Sequence, residues 1–142
     1  MSTLVVYFSK TGSTKKLADK IAKKLGADMD EIIDVAGDSD KKPFGKVSPE
    51  IKFKKDPSKY DLVVIGGPTW GFSATPIVKC YLTKNKFKEV AFFCTCGLWN
   101  GFLFSQMKKL SKEPRAKLKV KMKKVETCDD KVNEFCNKLN RK

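Results

Sequence analysis

Leu4-Val5-Val6-Tyr7-Phe8 runs directly into Ser9-Lys10-Thr11-Gly12-Ser13-Thr14, and this join decides the fold. The first stretch is continuously apolar, as a strand buried on both faces must be. The second carries hydroxyls and one glycine. It leads into a segment with Leu17, Ile21 and Leu25 at four-residue spacing, which Gly26 stops. That spacing predicts an amphipathic helix over Ser13–Leu25. A buried strand that turns through a short loop into a helix is the first half of a parallel β-α-β unit.

Working outward, five β-like segments alternate with helical patterns: Thr3–Phe8, Met29–Val35, Leu62–Gly66, Val90–Cys94 and Leu118–Val125. The first, third and fourth hold unbroken apolar runs and belong at the centre of a parallel sheet. The second is mixed. The fifth alternates, with lysine at Lys117, Lys119, Lys121 and Lys123, the pattern of a blunted edge. Right-handed crossovers then give the order 2-1-3-4-5 with helices on both faces. Pro76 opens a second helix bearing Ile77, Val78, Tyr81 and Leu82. Leu103, Met107 and Leu110 share one face of a third, and Val132, Phe135, Cys136 and Leu139 one face of a fourth. Ala36–Tyr60, with Gly37, Pro43, Gly45, Pro49 and Pro57, reads as mostly loop with room for one short helical turn.

Composition bounds the function. The 142 residues suit one domain spanning 1–142, with no internal repeat. No apolar run approaches the roughly 20 residues of a membrane span, and no secretion signal is evident, so the expected compartment is cytoplasmic. Five cysteines without such a signal read as inert thiols rather than a disulfide framework. The absence of histidine excludes Ser-His-Asp and Cys-His catalysis and disfavours a transition-metal centre, so no metal site is expected. The net charge of +14 comes almost wholly from lysine, since only Arg115 and Arg141 are arginine. Base and phosphate-cluster readers lean on arginine's planar fork, so a lysine-coated surface is favoured over a nucleic-acid-binding module.

In an open α/β sheet, ligands bind outside the carboxyl ends of the strands where the strand order reverses. Three loops meet there. Ser9–Thr14 offers hydroxyls, a glycine and the free N–H groups of a helix start, the parts of a phosphate cradle. Helix capping by Thr11 or Ser13 explains the same residues equally well. The loop matches neither the Walker A nor the G-x-G-x-x-G pattern. After the third strand comes Gly67-Pro68-Thr69-Trp70-Gly71-Phe72, and after the fourth comes Thr95-Cys96-Gly97-Leu98-Trp99. The chain's two tryptophans therefore fall at the ligand edge, where a flat aromatic ligand could stack on them.

Thr11-Gly12-Ser13-Thr14, Gly67-Pro68-Thr69-Trp70-Gly71 and Thr95-Cys96-Gly97 through Trp99 stand in register, and over its whole length the chain resembles the short-chain flavodoxin-like proteins. The resemblance implies a three-layer flavodoxin-like sandwich that holds flavin mononucleotide (FMN) non-covalently and moves electrons. Ser9, Lys10, Thr11, Gly12, Ser13 and Thr14 would form the phosphate loop. Trp70 and Trp99 would flank the ring, with Pro68 and Thr69 in the same loop and Gly71 near its N5. Thr95, Cys96 and Gly97 would meet its pyrimidine side.

One departure matters. Electron-carrying flavodoxins are generally acidic around the ring, yet no charged residue occurs from Gly66 to Ile77 or from Thr95 to Gln106. The expected partner is accordingly a redox protein, an acidic one among the candidates, or a small apolar acceptor such as a quinone. An FMN-dependent NAD(P)H or quinone oxidoreductase is the alternative to a carrier, and no nicotinamide fingerprint supports it. Cys94 and Cys96 are not C-x-x-C, and on a strand they point the same way, which argues against a dithiol.

Overall fold

The computed structural model describes residues 2–9, 12–35, 50–70, 73–97 and 101–140, with only the backbone of Trp70 and Ser73. In chain order the elements are β1 (Thr3–Tyr7), α1 (Ser13–Leu25), β2 (Asp28–Glu31), β3 (Ile33–Asp34), β4 (Ile51–Lys52), β5 (Leu62–Trp70) and β6 (Ser73–Ala74). There follow α2 (Pro76–Lys84), β7 (Val90–Cys96), α3 (Leu103–Leu110), β8 (Lys117–Lys121) and α4 (Asp129–Asn140).

The main sheet runs β2-β1-β5-β7-β8 with every pair parallel, which is the expected 2-1-3-4-5 order. Alternation along the buried strands divides the core in two, since successive side chains point to opposite faces. Val5, Tyr7, Val64 and Phe93 pack with Leu17 and Ile21 of α1 and Val132, Phe135 and Leu139 of α4. Leu4, Val6, Ile65, Phe92 and Cys94 pack on the other face with Ile77 and Tyr81 of α2 and Leu103 and Met107 of α3. The result is a flavodoxin-like α/β architecture of three layers. Among the described residues, no helix is long and apolar enough to cross a membrane.

Several boundaries differ from the sequence reading for identifiable reasons. The second strand ends at Glu31: the Ile32 N–H makes the last bond of its ladder, to the Tyr7 carbonyl at 2.8 Å, and Ile33–Asp34 then pairs antiparallel with Ile51–Lys52. The buried Asp30 carboxylate then accepts the N–H groups of Lys54 and Lys55 at 2.9 and 2.8 Å, pinning the returning chain. The third strand continues through Gly66, Gly67 and Pro68 to Trp70, and the fourth extends to Cys96, carried by their mutual pairing. The fifth begins at Lys117 and stops at Lys121. There the alternation fails, and Met122–Thr127 forms a 3₁₀ turn. Leu110 is 38% exposed and leaves the buried face that it was expected to share. Pro57–Lys59, capped by Asp56, forms a helical turn, while residues 36–49 lie outside the described residues.

Candidate functional site

The register brings three strand ends side by side. Tyr7 stands opposite Gly66, Gly66 opposite Phe93, and Pro68 opposite Thr95. The Phe8 N–H extends the first ladder by donating to the Gly66 carbonyl at 3.1 Å. The first, second and third loops therefore leave the sheet from adjacent positions, at the point where the order reverses.

The first loop is closed from below by Ser9, whose Oγ accepts the Gly12 N–H at 3.0 Å. Gly12 has φ 94°, in the left-handed region that a side chain resists, and lets the chain turn at once into α1. Among the described residues no side chain caps that helix, and its first turn holds no acidic residue. The capping alternative thus fails for Ser13, and Thr11 lies outside the described residues. The N–H groups of the first turn and the positive end of the helix remain for an anion.

Thr14 is buried beneath this turn. Its hydroxyl lies 2.8 Å from the Thr95 hydroxyl, also buried, so a single hydrogen bond ties the start of α1 to the head of the third loop. Sequence reading placed both residues at the site without linking them, because a pair 81 residues apart leaves no local signal.

At the end of β5, the Thr69 and Trp70 backbone pairs with Ala74 and Ser73 of β6, so Trp70 stands at a strand end rather than in a free loop. The Ala74 N–H donates to Gln106 Oε1 of α3 at 2.9 Å, a brace that nothing in the sequence announced. The Thr69 hydroxyl is buried and has no hydrogen-bond partner among the described residues, although it lies close enough to the Cys94 thiol to pull that pKa down slightly. Burial dominates at Cys94 and pushes its thiol up to about 12. Burial also raises Cys96, against the pull of Lys119, Lys121 and Lys131. Neither is a thiolate nucleophile. Both are free thiols on one strand, two residues apart.

Of the remaining predicted positions, Pro68 is buried in β5, and Gly97 is exposed, with nothing within 4 Å of where a Cβ would stand. Lys10, Thr11, Gly71 and Trp99 lie outside the described residues, as does the Trp70 side chain. What is described fits a phosphorylated flat ligand: a helix start with no side-chain cap among the described residues, open space above Gly12 and Gly97, and a buried Thr69 hydroxyl near the end of β5 with no oxygen or nitrogen partner among the described residues. A separate cleft of 680 Å³ runs along β2 and Ile51–Lys54. Asp19, Asp30 and Glu31 line it together with Lys52 and Lys54, and, after burial, the three carboxylates raise the Tyr7 pKa.

The family model described as the flavodoxin domain matches residues 4–128. None of the curated proteins matches the chain. Among solved structures, a flavoprotein of Lactobacillus acidophilus in complex with FMN is 24% identical, with 94% of this chain and 97% of that one covered and a TM-score of 0.71. A protein of Bacteroides eggerthii is 25% identical, with 99% of each chain covered and a TM-score of 0.76. Oxidised flavodoxin 2 of Bacillus cereus is 19% identical, with 97% and 99% covered and a TM-score of 0.61. The family model spans the sheet from β1 through β8 and takes in all three loops, and by that match the chain belongs to the flavodoxin domain family.

Proposed function

We propose that the chain binds FMN non-covalently at the carboxyl ends of β1, β5 and β7 and carries electrons through it. The observation that carries this reading is the uncapped start of α1, held by the Ser9–Gly12 turn and joined through Thr14 and Thr95 to the third loop. The FMN in the Lactobacillus acidophilus flavoprotein supports the choice of ligand.

The first-turn N–H groups of α1 and the hydroxyls of Ser9, Thr11 and Ser13 donate to the phosphate, and Lys10 adds positive charge. Thr14 presents its N–H, while its hydroxyl is engaged with Thr95. The Thr69 hydroxyl, which meets only the Cys94 thiol among the described residues, turns toward the ligand. Pro68, Trp70, Gly71 and Trp99 line the ring, and Thr95, Cys96 and Gly97 offer main-chain groups to its polar edge. FMN, when bound, supplies one- and two-electron chemistry, and the protein orients it and shields it from water. No side chain here is suited to general acid–base work at neutral pH, and no nicotinamide fingerprint occurs, so a carrier is favoured over an NAD(P)H- or quinone-dependent oxidoreductase. A redox protein or a small apolar acceptor then takes the electrons, in the cytoplasm.

Titration of the purified apoprotein tests this. Added FMN should be quenched, with flavin absorption bands retained through gel filtration. Riboflavin, which lacks the phosphate, should bind about 100-fold more weakly, the loss of two or so charge-assisted hydrogen bonds. Equal affinity for the two would overturn the phosphate assignment.

A further inference from the structure

The outer edge of the sheet carries a feature that the ligand site does not use. In β8, Leu118 and Val120 are buried, while Lys117, Lys119 and Lys121 are exposed and follow one another at about 6.6 Å along the strand. Pairing sets Lys119 opposite Cys94 and Lys121 opposite Cys96, the last residue of β7 before Gly97. The ladder therefore climbs to the level of the third loop. Beyond it the chain turns through exposed Met122, Lys123 and Lys124 at the same carboxyl end. Lys131, on the first turns of α4, lies near enough to Cys96 to act on its thiol together with Lys119 and Lys121.

Little opposes this charge. Glu126 is engaged by Lys16 at 3.0 Å and Asp129 by Lys20 at 2.6 Å. Among the described residues, Lys119, Lys121, Lys123, Lys124 and Lys131 take part in no ion pair, and from 117 to 131 only the Asp130 carboxylate lies outside one. Two large apolar side chains at this end are exposed as well, Met122 by 41% and Phe102 by 62%. The neutral mouth thus has a basic ledge on its β8 side with apolar contact points, the anatomy of a small electron-transfer interface.

We infer that Lys119, Lys121, Lys123 and Lys124 form the docking ledge for an acidic redox protein, which they hold against the mouth where β7 ends. The inference rests on the reading of that mouth as a flavin site. A protein fits better than a nucleic acid. The ledge is one short strand and a turn built wholly of lysine, whereas Arg115, the arginine nearest in sequence, is engaged with Glu89 at 3.2 Å. Ammonium groups spaced along an edge steer a carboxylate surface and let it leave again, as a carrier's turnover requires, while base reading calls for bidentate donors.

The test uses the FMN-loaded protein reduced with dithionite, then freed of excess reductant, and two ferric haem proteins as probes: acidic cytochrome b5 and basic cytochrome c. Each transfer moves one electron from the reduced flavin to ferric iron, with no bond made to either protein. Stopped-flow rates with cytochrome b5 should fall steeply from about 0.02 to 0.5 M salt. They should drop about tenfold or more at low salt in K119E/K121E, while rates with cytochrome c rise. K23E/K24E, which changes net charge equally but sits in the last turn of α1 at the opposite end of the sheet, should behave as wild type. Amide NMR shifts on adding redox-inert, zinc-substituted cytochrome b5 should map to 117–124.

Unaltered FMN affinity with no difference between K119E/K121E and wild type overturns the ledge alone, whereas failure of the wild type to take up FMN overturns the site reading. Equal effects of the two double variants reduce the ledge to net charge and also overturn it. Retention of a DNA duplex at about 0.15 M salt that K119E/K121E abolishes, with haem reduction unchanged, overturns it in favour of nucleic acid.

Discussion

A methyl group at residue 66 has no room. Built on the Gly66 backbone, a Cβ would stand 2.4 Å from the Phe93 ring, which is fully buried and cannot swing clear. Gly66→Ala should therefore lower stability by about 1–3 kcal/mol, read as a shift in the urea midpoint. The close approach, with that of Val78 to Gly67 (2.8 Å from a built Cβ), explains why a strand runs through two glycines that propensity would exclude. Sequence reading ended the strand at Gly66 because the partner ring that demands glycine lies in a different segment. The thiols give a second residue-scale check. With its pKa raised to about 12 by burial, Cys94 is about one part in 10⁴ thiolate at pH 8. Neither it nor Cys96, which is 1% exposed, should react with a disulfide reagent at that pH in the folded protein, and both should react in denaturant. Rapid native labelling at Cys94 would show that the α2–α3 core opens readily.

Among the elements, the join of α1 to β7 carries the most functional weight. Thr95→Val cuts the Thr14–Thr95 hydroxyl bond and leaves a buried Thr14 hydroxyl unpaired, an expected cost of about 1–3 kcal/mol. Thr14→Val/Thr95→Val removes both hydroxyls and should restore most of that loss, since two matched apolar groups replace the pair at little cost. A double-mutant cycle by urea denaturation decides, and strict additivity would deny the coupling. Elements with a strong period were legible from sequence: three apolar runs set the centre, lysine alternation set the β8 edge, and the helix stripes placed α1, α2 and α4. The Ile33–Asp34 and Ile51–Lys52 ribbon was not legible, because two residues have no period and their pairing is long-range. That the first, third and fourth predicted strands end side by side was legible from strand order. Their cross-braces, Thr14 to Thr95 and Gln106 to Ala74, were not, since nothing local demands either bond.

For the molecule as a whole, charge is the distinguishing property. With +14 overall and no carboxylate within either ring loop, the fully reduced, anionic flavin should form at a less negative potential than in acidic flavodoxins. Each missing carboxylate at about 10 Å contributes only a few tenths of a kcal/mol in water-like surroundings, so the expected shift is the sum of several small ones. A potentiometric titration reading as low as in strongly acidic flavodoxins would refute it. Architecture adds a practical outcome. At the β3–β4 ribbon the Val35 N–H donates to the Glu50 carbonyl at 3.0 Å, so the residues on either side of 36–49 are tied to one another. Whatever is spliced between those two points sees fixed anchors, and doubling its length adds only about 0.6 kcal/mol of closure entropy. The two anchors, Val35 and Glu50, thus mark a point at which to splice in a reporter or affinity handle, remote in sequence from every residue assigned to the flavin.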